Sequence, residues 1–371
     1  MRTGRQRCED KQLLGPMSPL YTDATVTGSL KEGPYHFLLT HYRASGATSI
    51  RPGIVLRVEN YLDPSAVDIT PIVKSDSKRY HGGWLKDEIA ALVALSLGIR
   101  LKAGDATRRF DSAGDPRGIP ELWGPNEPPF LRGSGLPILP GALGHHSLLD
   151  TKLFASLPAL SPLDAVTLVR VARLYQDALW IAESEPQLSW LMLVSAVETA
   201  ANYRQGEEGT TLSRLRAAKP DFAEYVQCLG VRGLERRIAD EFEPSLRSTK
   251  KFISFCLDFL PAPPKARPGK EGQVSWARAD MKKSLGTIYE HRSGALHNGI
   301  PFPLPMCRPP GRFEGLDGWD APEERPPGFA ARIGNAAWTA KDTPMLLHTF
   351  DHIARHALLK WWASMAPHNA T

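Results

Sequence analysis

The chain is short of the features that would carry it out of the cell or into a membrane. Its four cysteines, Cys8, Cys228, Cys256 and Cys307, stand far apart in 371 residues and form no C-x-x-C pair. That spacing supports neither a disulfide framework nor a zinc knuckle, and a reduced, cytoplasmic setting is expected. No apolar run approaches the ~20 residues needed to span a bilayer, so no membrane partner is expected. The opening stretch MRTGRQRCEDKQLLGP lacks the apolar core of a signal peptide. No lysine/arginine run marks a dedicated tail. The net charge of +5 is spread over both halves and favours a polyanionic partner only mildly. H-E-x-x-H is absent, and neither a metal nor a cofactor is expected.

Proline and glycine are plentiful, at 32 and 31 residues, and their clustering divides the chain. Residues 1–30 are polar and read as a loose tail. Residues 31–110 read as a small α+β domain, with strands at Tyr35–Thr40 and Ile54–Val58 and a strongly apolar helix at Trp84–Leu97 closed by Gly98. In it, His81-Gly82-Gly83 either offers bare backbone to a phosphate or is a plain loop. Residues 111–160 are a Pro/Gly-rich connector through which no helix or strand runs far. Residues 161–366 read as a helical bundle with an irregular insertion at 300–335. The fold class is therefore an α+β N-terminal domain followed by an all-α bundle.

Within that bundle, Ser161-Pro162 opens a helix with a cap and a proline at its first position. Leu188–Ala201 (LSWLMLVSAVETAA) is apolar nearly all round and marks the central helix; Glu198 is its only charge and needs a partner. Residues 206–245 read as shorter helices with basic edges at Arg232, Arg236 and Arg237, and Leu246–Leu260 as a further helix. Pro261–Gln273 reads as a flexible basic break. In the final helix His348, His352 and His356 repeat at i, i+4 and i+8. With no third kind of ligand in reach they read as an exposed or dimer-facing polar stripe.

The stretch richest in chemistry is Ser275–Gly299, which reads as one helix stopped by Asn298-Gly299. Met281, Leu285 and Ile288 form an inward stripe whose next positions are Arg292 and then Leu296. An arginine stands where the pattern asks for a leucine, so it needs a carboxylate, a phosphate or a water-filled pocket. Five residues on is His297, suited to proton transfer near neutral pH. Glu198 is the candidate to hold Arg292 or tune His297, either within a site or as a structural ion pair.

Tyr289, Arg292-Ser293 and His297-Asn298-Gly299, followed by Pro301-Phe302-Pro303, resemble the R-x(4–6)-H signature of HEPN domains, in particular the Apea-like branch. The resemblance spans roughly residues 160–366. It implies a HEPN-like helical bundle acting as a metal-independent endoribonuclease, with Arg292 and His297 catalytic and Ser293 at the polar place after the arginine. Glu198 matches a glutamate common in that branch. It further implies RNA as partner, a homodimer with its site at the interface, and a toxin or antiviral-defence setting with an antitoxin or defence partner. Members that have lost catalysis only bind nucleotides, RNA or protein, so a module binding RNA or nucleotide is one alternative; a structural or signalling scaffold, in which the pair knits the bundle, is the other. Phe302, Phe313 and Trp319 either stack on bases or pin the insertion to the bundle.

Overall fold

In the computed structural model the residues described are 15–30, 37–41, 50–58, 75, 77–78, 80–110, 119–121, 128–130, 135–204, 212, 215–216, 220–231, 233–314, 320–326, 328 and 331–366. The chain divides into two units, Met1–Glu185 with Trp362–Thr371, and Pro186–Trp361.

The first unit is built on an antiparallel sheet whose central strand is β1 (Gly15–Thr22). On one side β1 pairs with β5 (Arg51–Val58), then β4 (Phe37–His41) and β3 (Ser29–Leu30). On the other it pairs with β6 (Lys102–Ala103) and β7 (Arg108–Phe110), and β7 with β8 (Ile119–Pro120). Residues 15–30 are thus no loose tail. Glycine, proline and serine disguise β1, but it is flanked on both edges, and its ladders supply what its propensity lacks. Ser18, Leu20, Tyr21 and Thr22 are all buried. Pro52 is tolerated in β5 because it faces Tyr21, where the register shifts. A Cβ on Gly53 would fall 2.3 Å from the Thr22 side chain, so only glycine fits there.

Against this sheet lies α1 (Leu85–Leu97), ended by Gly98 at φ 71. Every residue from Ile89 to Leu97 is buried, because α2 (Pro162–Ile181) packs on it as well. A short parallel pair joins β2 (Thr25–Thr27) to β9 (His145–Ser147). The Pro/Gly-rich connector is anchored by apolar side chains: Ile138, Leu139, Leu148, Phe154 and Leu157 are buried. The indole N–H of Trp362 donates to Ser156 Oγ at 3.1 Å.

The unit's core also holds a charge. Arg100 is 0 % exposed; its Nη1 donates to Asp23 Oδ2 at 2.9 Å, its Nη2 to Glu183, and its Nε to the Leu179 carbonyl at 3.1 Å. Glu183 also accepts the Ile138 amide at 3.0 Å. One guanidinium thereby ties the β1–β2 turn, the end of α2 and the connector together.

The second unit is mostly helical, with α3 (Pro186–Arg204), α4 (Pro220–Cys228), α5 (Leu234–Asp258), α6 (Arg278–Asn298) and α7 (Leu347–Met365). α5 runs unbroken through Pro244, where sequence patterning expects a boundary. The unit is not all-α. Its 300–335 insertion holds a 3₁₀ turn at Leu304–Cys307 and two hairpins, β10–β11 (Arg312–Glu314, Asp320–Pro322) and β12–β13 (Ala331–Ile333, Ala336–Trp338). Trp190 of α3 centres the core, stacked between Phe302 and Phe350 at 5.3 and 5.0 Å. Phe302 therefore pins the insertion and is 1 % exposed. Trp319 and the Phe313 side chain lie outside the described residues.

Two adjacent carboxylates order the loops. Glu324 accepts Arg267 Nε and Nη2 at 2.7 and 2.6 Å and the Val274 amide at 2.7 Å. Glu323 accepts Arg308 Nη2 and the Gly311 amide. The 261–273 break expected to be flexible is thus tied down by a buried ion. Its prolines hid this, because the partner lies 57 residues away.

Replacing Arg100 by alanine would strand Asp23 and Glu183 as buried carboxylates without their countercharge, a change that typically costs about 3–5 kcal/mol. Urea denaturation followed by circular dichroism is expected to show a clearly lower midpoint for Arg100→Ala. An unchanged midpoint would mean that the cluster adds nothing to stability.

Candidate functional site

α6 is placed by its apolar stripe: Met281, Leu285 and Ile288 are each 0 % exposed. Asn298 is its last residue, and Gly299, at φ 64, closes it in the left-handed conformation. The stripe does not continue to Leu296, which is 52 % exposed. It ends at Arg292, because the helix runs past the cover of its neighbours, and Leu296, His297 and Asn298 face water.

Arg292 Nη2 donates to Glu198 Oε2 at 2.5 Å, with the two side chains 19 % and 9 % exposed. The other carboxylate oxygen accepts the Tyr289 hydroxyl at 2.6 Å. Tyr289 and Arg292 are i and i+3 on α6, so they share a face. The guanidinium carbon lies 5.4 Å from the Tyr289 ring centre. Burial, then the hydrogen bond to Glu198, pushes the Tyr289 hydroxyl well above its ordinary pKa, so it remains a donor. Arg292 Nε is buried without a hydrogen-bond partner.

Of the residues singled out from sequence, the structure brings Glu198, Arg292 and Tyr289 into contact. Ser293 is half-buried beside them, and His297 stands exposed on the last turn. Five helical residues turn about 140° and rise about 7.5 Å, so Arg292 and His297 of one copy do not converge on one atom. Sequence reasoning passed over His291, whose Nε2 bonds the Asp342 carbonyl at 2.7 Å and whose ring meets Phe302 at 5.9 Å. Only its neighbour Arg292 lay on the stripe, and nothing in the sequence pointed to Asp342 as a partner.

The α7 histidines are not an exposed stripe. His348 Nε2 bonds the Glu323 carbonyl, and His352 Nε2 the Ala262 carbonyl at 3.0 Å. His356 Nδ1 bonds the His352 carbonyl at 2.8 Å. The loops described above cover this face, a contact no helical periodicity reports. Among the described residues no group of three or more His, Cys, Asp or Glu is placed to hold a metal.

Two outcomes are expected from this geometry. In a double-mutant cycle of Glu198→Ala and Arg292→Ala, chemical denaturation should report a coupling of about 1–3 kcal/mol, as for residues in one buried network. Strictly additive losses would mean that the contact is not populated. Burial, as the largest cause, lowers the pKa of His348, His352 and His356, the last from 6.5 to about 4. The folded state therefore favours their neutral form. The resulting stabilisation is present above pH 6.5 and is lost as pH falls toward 4. The urea midpoint should drop across that interval, and His356→Gln should make the drop shallower. A variant with an equally steep drop would clear His356 of any part in it.

Comparison of the chain with family models, curated proteins and solved structures finds no match in any of the three.

Proposed function

We propose that roughly residues 160–366 form a HEPN-type module that cleaves RNA without a metal, two copies combining to form the site. The observation that carries this reading is a guanidinium held on a helix by a buried carboxylate, with an exposed imidazole five residues on. In this reading the ribose 2′-OH attacks the adjacent phosphorus, and the 5′-oxygen of the next nucleotide leaves. His297 takes or donates the proton, and Arg292 stabilises the charge growing on the phosphoryl oxygens. Ser293 contacts the phosphate. Glu198 positions Arg292 and engages Nη2, leaving other N–H donors of the guanidinium for a ligand. A second copy supplies the group that one helix turns away. Leu296 and Ile300, 52 % and 59 % exposed on either side of His297, offer apolar surface for that pairing. A toxin or antiviral-defence setting, with an antitoxin or defence partner, follows from the resemblance alone.

A second reading has an observation of its own. Glu198 already neutralises Arg292 and is itself bonded by Tyr289, the closure expected of a structural ion pair or of a module that binds without cutting.

Purified protein incubated with total RNA and with tRNA in EDTA separates the readings. Wild type is expected to cleave, and His297→Ala, shown by circular dichroism to be folded alike, is expected to lose cleavage. Equal cleavage by both would remove His297 from the mechanism. No cleavage by either would favour the second reading, and loss of RNA binding in Arg292→Ala would then identify a binding module.

A further inference from the structure

The first unit carries a surface of a different kind ahead of α1. Tyr80 is 65 % exposed and Trp84 79 % exposed. Rings of that size are usually buried at least in part, and both stand on a backbone held in place. From α2, Arg170 Nε donates to the Tyr80 carbonyl at 2.9 Å. Its Nη2 reaches the carbonyls of Ser77, Lys78 and Tyr80 at 3.0, 2.9 and 2.7 Å. At the other end the Trp84 amide donates to Asp87 Oδ2 at 2.9 Å, and the Asp87 amide donates back to the Trp84 carbonyl at 2.9 Å. A partner stacking on these rings would have little backbone left to order.

Positive charge stands behind the loop. Arg173 follows Arg170 by one turn of α2 and lies against Gly82-Gly83. A Cβ on Gly83 would fall 2.4 Å from Arg173 Nη1, and Gly82 has φ +97. The glycine pair is therefore what allows the guanidinium so close to the chain. Arg173 Nη1 is buried and has no hydrogen-bond partner among the described residues. Among the described residues neither Arg170 nor Arg173 has a carboxylate within ion-pair distance. Burial first, then Arg173 and Arg170, lowers the pKa of His81, which stays neutral near pH 7. Among the described residues the nearby acids are engaged locally: Asp87 caps Trp84, and Glu88 Oε2 is 3.5 Å from His81 Nε2. Lys78 is exposed at the rim.

Two exposed π faces on a fixed backbone, with bare glycines and two guanidinium charges beside them, suit a ligand having both flat rings and phosphates. A duplex hides its base faces, and an acidic protein segment would use the charge but not the rings. We infer that the Tyr80–Trp84 loop is a docking platform for single-stranded nucleic acid. Bases stack on Tyr80 and Trp84, and the sugar-phosphate chain runs past Gly82-Gly83 within reach of Lys78, over the positive charge of the Arg173 guanidinium behind the glycines. This goes beyond the cleavage reading and stands without it.

The test is fluorescence anisotropy of the full chain with a labelled single-stranded 2′-O-methyl RNA 12-mer. That probe has no 2′-OH nucleophile, so absence of nuclease activity would leave the result untouched. Wild type is expected to bind it, and Tyr80→Ala and Trp84→Ala are each expected to bind about tenfold more weakly, the loss of one stacked base. Both side chains are exposed, so melting temperatures should be unchanged, and Trp84→Phe should keep most of the affinity. No binding by wild type, equal binding by both alanine variants, or full competition by poly-glutamate would overturn the inference. The last result would indicate an acidic protein partner instead.

Discussion

A charge taken out of water must meet its opposite, and in both units that requirement decides which loops come together. Each cluster joins segments that are far apart in the chain. Arg100 joins the turn after β1 to the connector through Asp23 and Glu183. Glu323 and Glu324 draw in Arg308, Arg267 and the amides of Gly311 and Val274. Glu198 gathers Tyr289 and Arg292 between α3 and α6. A buried pair of this kind is worth little relative to a well-packed apolar substitute, but losing one partner is expensive. Such clusters therefore act more as conditions on the fold than as sources of stability. They exclude arrangements in which a prolyl loop drifts and leaves an ion stranded.

This explains which parts of the architecture could be read from the chain. Elements held by apolar periodicity were legible: α1 with its Gly98 stop, the core helix α3, and α6 ending at Asn298. Among elements held by pairing or by ions, β4 and β5 were legible as the strands expected at Tyr35–Thr40 and Ile54–Val58, and the rest were not. β1 has the composition of a tail and becomes a central strand only because other strands flank it. Pro244 marks a break that α5 does not make. The histidines of α7 were spaced like a ligand set, yet His348 and His352 bond backbone carbonyls far off in sequence, at Glu323 and Ala262. Long-range partners leave no local pattern.

The Glu198–Arg292 contact was legible for a related reason. α3 offers one charge in an apolar stretch, and α6 offers one on an apolar stripe. Two such ions in one bundle have few other ways to be satisfied. What the pattern did not show was the third member. Tyr289 fills the second carboxylate oxygen, so Glu198 is held from two sides by the same helix.

Any chemistry at Arg292 must therefore act through Glu198. A phosphate approaching the guanidinium competes with a carboxylate already in place at 2.5 Å. Arginine can serve both because its fork presents five donors in a plane, whereas a lysine would have a single point of charge to divide. The same fork is directed by α3 and by Tyr289, while His297 is carried round the helix into water. A site needing both groups on one phosphate cannot be closed by bending side chains along a straight helix. It needs a second surface, and the exposed Leu296 and Ile300 lie beside His297, where such a surface would seat. The carboxylate that satisfies the half-buried arginine and the helix turn that exposes the histidine are thus parts of one constraint. Within a single copy the fold completes the charge pairing and leaves open the pairing that the proposed cleavage would need.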